Sequence, residues 1–430
     1  MGDRNAIEVR LERLHRQWDA FVADREARLL RWLFASDEWR MFEALLAIED
    51  HEDGELPVLF LVLSSPFEAG PRHGHELRRE LAELAAASAQ EFEQTGLAAW
   101  RSPISEATTS DIGMFTDSLA SLRQHLADRL ERLVIVLWPS RCLDARAYNA
   151  WLRRLVRVVP DRVLVIAPDH AEAPLLDELV EQAGPRVHSV RADLDMAGAA
   201  EALAAAAPGA DEPGGIYRAA FVGMSAAFGR GQLERARELA GQARAIAEAT
   251  EGFAHLEVAL AFAFASGLLG AGSHAEAIAE FGRAEQRAEQ AQRAGEPWAA
   301  GLRLRAAMGQ GSALVAAKAW AEAASRWISA AGLARECDEA QPELDCLRMA
   351  AWSHEQGGRF DEAWAVGLAG LDRASELPES VRAESTLPWL GELLLRLSES
   401  GPRADDRGPI VRQLGGLLGS NWRARLKPSQ

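Results

Sequence analysis

The chain has 430 residues, 48% of them hydrophobic and 26% charged, which predicts a soluble globular protein of two or three domains. Its formal net charge of −17 disfavours nucleic acids and anionic membrane surfaces as partners. No apolar run is as long as a membrane span, and the polar first residues do not resemble a secretory signal, so we expect a cytoplasmic protein. The cysteines at 142, 337 and 346 are too few and too scattered to predict a disulfide framework or a zinc site.

Residues 1–50 carry apolar side chains at helical spacing. The side chains near one helical stripe are Leu14, Trp18, Phe21, Leu29 and Leu33. Asp37 can cap a second helix over the sequence EWRMFEALLAIED. We therefore expect residues 1–50 to form helices that pack on the domain that follows.

From residue 57 the pattern changes to short runs of branched apolar residues separated by helical patterns. The apolar runs are 57–63, 132–138, 162–168 and 186–192, and the helical patterns are 74–95, 115–131, 144–158 and 172–183. Continuous apolar strands that alternate with helices are typical of a parallel sheet covered on both faces. Residues 51–205 are therefore predicted to form an α/β domain.

The Pro- and Gly-rich segment 206–215 is predicted to be a linker, and strand patterns end there. Alanine-rich helical patterns fill residues 216–397, and the segment 398–430 begins with a break and holds one more helical pattern. The predicted fold is thus an α/β domain with a mostly parallel sheet, followed by an all-α domain.

The all-α half repeats itself four times. Each copy has an alanine, a second residue four positions later and a small residue three positions after that. These positions are 236, 240 and 243; 277, 281 and 284; 323, 327 and 330; and 363, 367 and 370. Spacings of four and seven place all three residues of a copy on one helix face.

This pattern resembles the tetratricopeptide repeat, in which a small residue of a first helix meets an alanine–aromatic–alanine triplet of a second. The matching first-helix positions are Met224, Ala265, Gly311 and Ala351. The resemblance implies that the first helices line an inner face that binds another protein. The inward residues that we expect to bind this partner are Arg218, Phe221, Phe228, Phe262, Arg305, Met308, Arg348 and Trp352.

Aromatic residues, methionine and arginine are enriched at recognition surfaces. An amphipathic helix or an extended peptide with acidic flanks would suit this set. Two alternatives stay open at this stage. The repeats could be an ordinary alanine-rich helical bundle, and some of these side chains could pack against neighbouring helices.

The stretch AGPRHGHE, residues 69–76, follows an apolar run and precedes a helical pattern, which is the order of a phosphate-binding loop. Gly74 keeps one glycine of that motif, but His75 replaces its lysine and Glu76 replaces its hydroxyl residue. The run RLVIVLW, the candidate metal-binding strand, ends without a carboxylate. The order of elements is similar to that of signalling ATPases of the P-loop class, which implies a degenerate, non-hydrolysing relative; an unrelated α/β scaffold is the alternative.

A histidine after one strand and a cysteine after another is the order found in caspase-like peptidases. His73-Gly74 resembles part of that family's pattern, whereas PSRCLD, around Cys142, does not match its cysteine side. The histidines of HGH point apart on a helix, so they predict no metal site. We therefore predict no catalytic residues, no cofactor and no metal ion.

Together these features predict a bacterial, non-enzymatic adaptor or chaperone-like protein. Its partner would be another protein, such as a helix or peptide segment of a secreted effector or toxin, held on the repeats. One alternative is a signalling ATPase relative whose α/β domain binds nucleotide and whose repeats sense a ligand. The other is a cysteine peptidase that uses Cys142 with His73 or His75.

Overall fold

The structure, a computed structural model, describes residues 5–50, 56, 58–68, 70–89, 98–103, 110–399 and 401–426. The chain divides into two compact units between Ala199 and Ala200. The first unit is an α/β domain and the second is all helical, which confirms the predicted fold class. In the part of the chain that the structure describes, no helix is long and apolar enough to cross a membrane.

A parallel sheet forms the centre of the first unit, and its described strands have the order β2-β3-β4-β1-β5. The strands are β1 (Leu29–Phe34), β2 (Val58–Leu63), β3 (Arg132–Leu137), β4 (Val163–His170) and β5 (Val187–Arg191). The helices are α1 (Ala6–Ala23), α2 (Trp39–Glu49), α3 (Gly70–Ala87), α4 (Asp111–His125), α5 (Ala145–Val158) and α6 (Asp177–Ala183).

Helices cover both faces of this sheet. One buried cluster joins α3, α4, α5 and α6 to Leu133 and Ile135 of β3. The other joins α1 and α2 to Val134 and Val136 of the same strand. Because alternate residues of β3 enter different clusters, the strand needs apolar side chains at every one of these positions.

The prediction that residues 1–50 are helical is wrong for Leu29–Phe34. These six residues form β1, which lies between β4 and β5, and all six are buried. A strand buried on both faces carries apolar residues at most positions, so Leu29 and Leu33 also fit a helical stripe. The start of the chain therefore supplies a strand of the sheet as well as helices packed on it.

Arg31 of β1 and Asp169 of β4 form an ion pair inside the first unit. Nη2 of Arg31 lies 2.7 Å from Oδ2 of Asp169, and the two residues are 4% and 2% exposed. The same carboxylate accepts hydrogen bonds from the backbone N–H groups of His170, Leu175 and Leu176. The pair therefore ties β1 to β4 and to the loop that follows β4.

The segment 206–215, predicted to be a linker, overlaps a helix at each end. These helices are α7 (Met196–Ala206) and α8 (Pro213–Gly229). The second unit contains helical hairpins at the four predicted repeats. The further helices of these hairpins are α9 (Leu233–Ala249), α10 (Ala254–Gly270), α11 (His274–Arg293), α12 (Ala299–Ala316), α13 (Trp320–Glu336), α14 (Ala340–Gln356) and α15 (Phe360–Ser375). The helices that follow are α16 (Glu379–Glu384), α17 (Leu387–Leu397) and α18 (Arg407–Leu418).

The residues at the repeated positions are buried, and in each of the first three hairpins the side-chain volumes of the two helices complement each other. A larger first-helix residue goes with a smaller second-helix residue. The matching residues are Met224 and Ala240, Ala265 and Phe281, and Gly311 and Trp327. This complementarity accounts for the variation in residue size between copies, because close-packed interiors tolerate little change in volume.

In the fourth hairpin the second-helix positions are Gly367 and Gly370, and leucines of α17 take the space. A Cβ atom at Gly367 would lie 2.7 Å from Cδ2 of Leu394. One at Gly370 would lie 2.8 Å from Cδ2 of Leu390. Helix α17 therefore packs on the last hairpin, as expected of a capping element.

Candidate functional site

The predicted inward residues of α8, α10, α12 and α14 are called the first-helix face. They are Arg218, Phe221, Phe228, Phe262, Arg305, Met308, Arg348 and Trp352. Its phenylalanines Phe228 and Phe262 are engaged in packing. A Cβ atom at Gly267 of α10 would lie 2.3 Å from the Phe228 ring. The centroid of the Phe262 ring lies 5.5 Å from that of Phe281 on α11. Because both rings fill contacts between helices, we assign these two residues to the repeat core.

The first-helix face carries the arginines Arg218, Arg305 and Arg348. Arg218 and Arg305 are exposed, and Arg348 is half-buried. Arg218 donates a hydrogen bond of 3.2 Å to the carbonyl oxygen of Pro208. Burial lowers the pKa of Arg348, which Asp345 partly offsets, and Nε of Arg348 has no hydrogen-bond partner.

These arginines form no ion pair with any residue that the structure describes, whereas most other described arginines of the second unit do. Pairs that join neighbouring second helices of the hairpins are Arg237–Glu276, Arg244–Glu280 and Arg326–Glu285. Arg335 and Arg373 both pair with Glu343, which is fully buried. Arg382, Arg407, Arg412 and Lys318 also form no ion pair with a described residue, so the first-helix face holds three of the seven described cations of the second unit that lack one.

Arg305 lies in an open groove of about 470 Å³ between α10 and α12. The other residues that line it are His255, Ala259, Trp298, Gly301 and Leu302. The indole N–H of Trp298 donates a hydrogen bond of 3.0 Å to Glu296, and the Trp298 ring centroid lies 6.2 Å from that of His255. Trp298 and His255 were not among the residues predicted from the sequence, although the tryptophan of the loop GEPW could have indicated the first of them.

The remaining predicted residues are half-buried and apolar. Phe221 stacks on Tyr217 with ring centroids 5.9 Å apart, and Trp352 meets Trp320 edge to face at 5.6 Å. Met308 packs against the buried cluster of the third and fourth hairpins. Each of these side chains is partly exposed, so the first-helix face combines apolar surface with cationic groups.

In the first unit, the candidate phosphate loop lies largely within a helix. Residues from Gly70 onward belong to α3, and Ala69 lies outside the described residues. The backbone N–H groups of Gly74 and exposed His75 both donate hydrogen bonds of 3.0 Å to the carboxylate of Asp111. In a phosphate-binding loop such groups would bind the phosphate.

Asp111, the first residue of α4, is held by a third donor, because the indole N–H of Trp151 also lies 3.0 Å from its carboxylate. A Cβ atom at Gly74 would lie 2.5 Å from the carbonyl oxygen of Asp111. Gly74 therefore permits the close approach of α4. These N–H groups already donate to a carboxylate of the chain itself, so this geometry does not favour the nucleotide alternative.

His73 and Cys142 do not have the properties of a catalytic pair. His73 is 2% exposed among the rings of Phe67, Tyr148 and Trp151, and burial lowers its pKa to about 4. Burial also raises the pKa of Cys142, which keeps the thiol protonated at neutral pH. A cysteine nucleophile needs a thiolate activated by a neighbouring base, and Nδ1 of His73 has no hydrogen-bond partner.

No family model matches the sequence, and no curated protein matches it. Among solved structures, the chain is similar to BtubC (BKLC) from P. vanneervenii, with 13% identity, a TM-score of 0.41 and coverage of 55% of this chain and 91% of that chain. The apo form of RapI has 13% identity and a TM-score of 0.35, with coverage of 51% and 74%. Aspartyl phosphate phosphatase F from Bacillus subtilis has 12% identity and a TM-score of 0.36, with coverage of 97% and 86%. Similarity at this level identifies neither a family nor a partner.

Proposed function

We propose that the protein is a non-enzymatic adaptor that holds an acidic segment of another protein on its first-helix face. The observation that carries this proposal is that Arg218 and Arg305 are exposed on this face and form no ion pair with any described residue, while Arg348 is half-buried near Asp345. In a chain of net charge −17, where most arginines of the second unit are paired, such arginines are the natural contacts for carboxylates from outside.

The apolar neighbours of these arginines support the same proposal. The partly exposed rings of Phe221 and Trp352, together with Trp298 in the groove of Arg305, offer flat surface for the apolar residues of a bound segment. A segment that alternates acidic and apolar side chains would contact both kinds of residue. Delivery of a secreted effector or toxin is the setting in which we propose that such a helper works.

The proposal is tested by selecting binders from a phage library of short randomised peptides with the full-length protein. The selected peptides are expected to be rich in acidic and apolar residues. Arg305→Ala is expected to weaken the best peptide by about tenfold or more in fluorescence anisotropy, since a hydrogen bond to a charged group contributes about 1.5–3 kcal/mol.

The matched control is Arg235→Ala. Arg235 is an exposed arginine of α9 that pairs with Glu238 on its own helix, so its removal is expected to leave peptide affinity unchanged. Equal affinity of the Arg235 and Arg305 variants would overturn the assignment of the face. Selection of basic rather than acidic peptides would overturn the proposed partner chemistry.

A further inference from the structure

Strand β2 is an edge strand of the described sheet, so part of its backbone faces away from β3. The carbonyl oxygen of Leu63 accepts a hydrogen bond of 3.0 Å from the N–H of Trp138, so the backbone groups of Leu63 face the β3 side. Because successive residues of a strand turn these groups to opposite sides, Phe60 and Val62 direct theirs to the open side. Within the described residues, nothing hydrogen-bonds to them there.

An apolar groove of about 520 Å³ runs along this open edge. It is lined by β2 together with Leu46 of α2 and Leu81 and Leu84 of α3, so apolar side chains stand at both faces of the sheet edge. Val62 and Leu84 are 37% and 39% exposed. An extended segment placed here would bury both rows of its side chains against apolar surface.

The opposite edge of the sheet, formed by β5, is more polar and is capped at its C-terminal end. The side-chain amide of Gln17 donates hydrogen bonds of 2.8 and 3.2 Å to the carbonyl oxygens of Arg191 and Ala192 at the end of β5. Strand β5 also carries His188 and Arg191, and polar or charged edge residues discourage the addition of a strand. The sequence of β2, VLFLVL, contains no such residue. The contrast indicates that the β2 edge is a recognition surface.

Asp50 gives this edge a charge preference. It is the one charged residue among the described residues that line the groove, and it forms no ion pair with any residue that the structure describes. It directly follows α2 and is exposed. A carboxylate at the rim of an apolar groove favours a segment that carries lysine or arginine.

We infer that the β2 edge binds an extended apolar segment of another protein, which adds to the sheet as a strand and places a basic residue against Asp50. Backbone hydrogen bonds to Phe60 and Val62 would hold the segment, and the groove would select its side chains. This site differs in chemistry from the first-helix face, which we propose takes acidic segments. An adaptor with both sites would hold two different segments.

The experiment uses the full chain and a phage library of short peptides with randomised apolar positions and randomised charge at both ends. Peptides with a basic end are expected to be enriched, and Leu84→Glu is expected to weaken the best of them by about tenfold or more. Asp50→Arg should shift the selection towards acidic ends. Hydrogen exchange should slow at the amides of Phe60 and Val62 when the peptide is bound.

Val158→Glu is the matched control, because Val158 is an apolar residue of α5 that is 52% exposed and does not line the groove. Arg305→Ala separates this site from the first-helix face, since it should leave basic-ended peptides bound. The inference is overturned if no enriched peptide depends on Leu84. It is also overturned if light scattering shows a dimer that Leu84→Glu dissociates, because a second copy would then be the occupant.

Discussion

Gly311 of α12 lies directly against the indole ring of Trp327 of α13, and a Cβ atom at position 311 would be 2.7 Å from Cε2 of that ring. A contact this short cannot be accommodated without a shift of the tryptophan or of the helix. The two residues therefore form a matched pair, and their relationship is testable by substitution.

Gly311→Ala is expected to lower the free energy of unfolding of the second unit by about 1 kcal/mol. Overpacking costs about 1–3 kcal/mol, and the higher helix propensity of alanine offsets about 1 kcal/mol of that cost. Adding Trp327→Phe should recover stability, since the second hairpin combines Ala265 with Phe281 at these positions. Urea unfolding measures both effects.

Gly301→Ala, in the same helix, is the control for that experiment. Apart from its chain neighbours and the backbone of its own helix, no described atom lies within 4 Å of a Cβ atom built at Gly301, so this change should raise the free energy of unfolding by up to about 1 kcal/mol. If both glycine substitutions stabilise the protein equally, the close contact between Gly311 and Trp327 does not constrain the fold.

Asp111→Ala is expected to destabilise the first unit by about 3 kcal/mol, because it leaves the N–H groups of Gly74, His75 and Trp151 without their acceptor. Asp111→Asn should cost less, since its amide oxygen can still accept. Hydrogen exchange at the two backbone amides reports the loss directly. Unchanged exchange in the alanine variant would show that this carboxylate does not hold α3 and α4 together.

Asp169→Ala is expected to cost about 3–5 kcal/mol, because it leaves buried Arg31 with Asp177 as its one remaining described counterion and three backbone N–H groups without their acceptor. Arg31→Met should cost less, since Asp169 would still accept its three backbone hydrogen bonds. Urea unfolding of the two variants gives the comparison. A larger loss for Arg31→Met would contradict this ranking.

His73 should make the stability of the first unit depend on pH. Its pKa of about 4 in the folded protein lies below its usual value of 6.5, so the unfolded chain takes up a proton first as the pH falls. The contribution of neutral His73 to the free energy of unfolding is fully present above pH 6.5 and is lost between pH 6.5 and pH 4. From pH 7 to pH 5 we expect the free energy of unfolding to fall by about 2 kcal/mol.

His73→Phe should remove this part of the pH dependence while it keeps a ring next to Phe67 and Trp151. Urea unfolding of both proteins across this pH range provides the measurement. Parallel pH profiles for the two proteins would show that His73 does not titrate as its burial implies.

Peptide binding to the first-helix face should weaken as salt concentration rises, because exposed charges are screened within about 10 Å at moderate ionic strength. Arg305→Ala should bind more weakly at low salt and show a shallower dependence on salt. Fluorescence anisotropy over a salt series gives both slopes. A binding constant that does not change with salt would exclude carboxylates as the main contacts.

The repeats could be predicted from sequence because their contacts are local. Ala236 and Ala243 lie on one face of a single helix, and the same spacing recurs in four copies. Gly367 has no side chain where the other copies carry Ala240, Phe281 or Trp327, so the fourth copy matches the repeat pattern less well. Its explanation, Leu394 of α17, lies outside the repeat and could not be read from the pattern.

The first unit was harder to predict because its decisive contacts are distant in sequence. Strand β1 was missed because a strand buried on both faces has no period of two. Asp111, which binds the N–H groups of Gly74 and His75, follows them by 36 or more residues. On the first-helix face, the sequence suggested Arg305 as a candidate but not Trp298, which lines the same groove and belongs to the loop before the helix.

The two glycines of the fourth hairpin have a consequence for how this array can evolve. Each repeat of such an array contacts only its neighbours, so an added hairpin must meet a surface that it can pack against. Leucines of α17 already occupy the space above Gly367 and Gly370. A fifth hairpin inserted at that junction would displace those leucines and face two positions without side chains, so the copy number is limited there by residues that contribute no side-chain atoms to the contact.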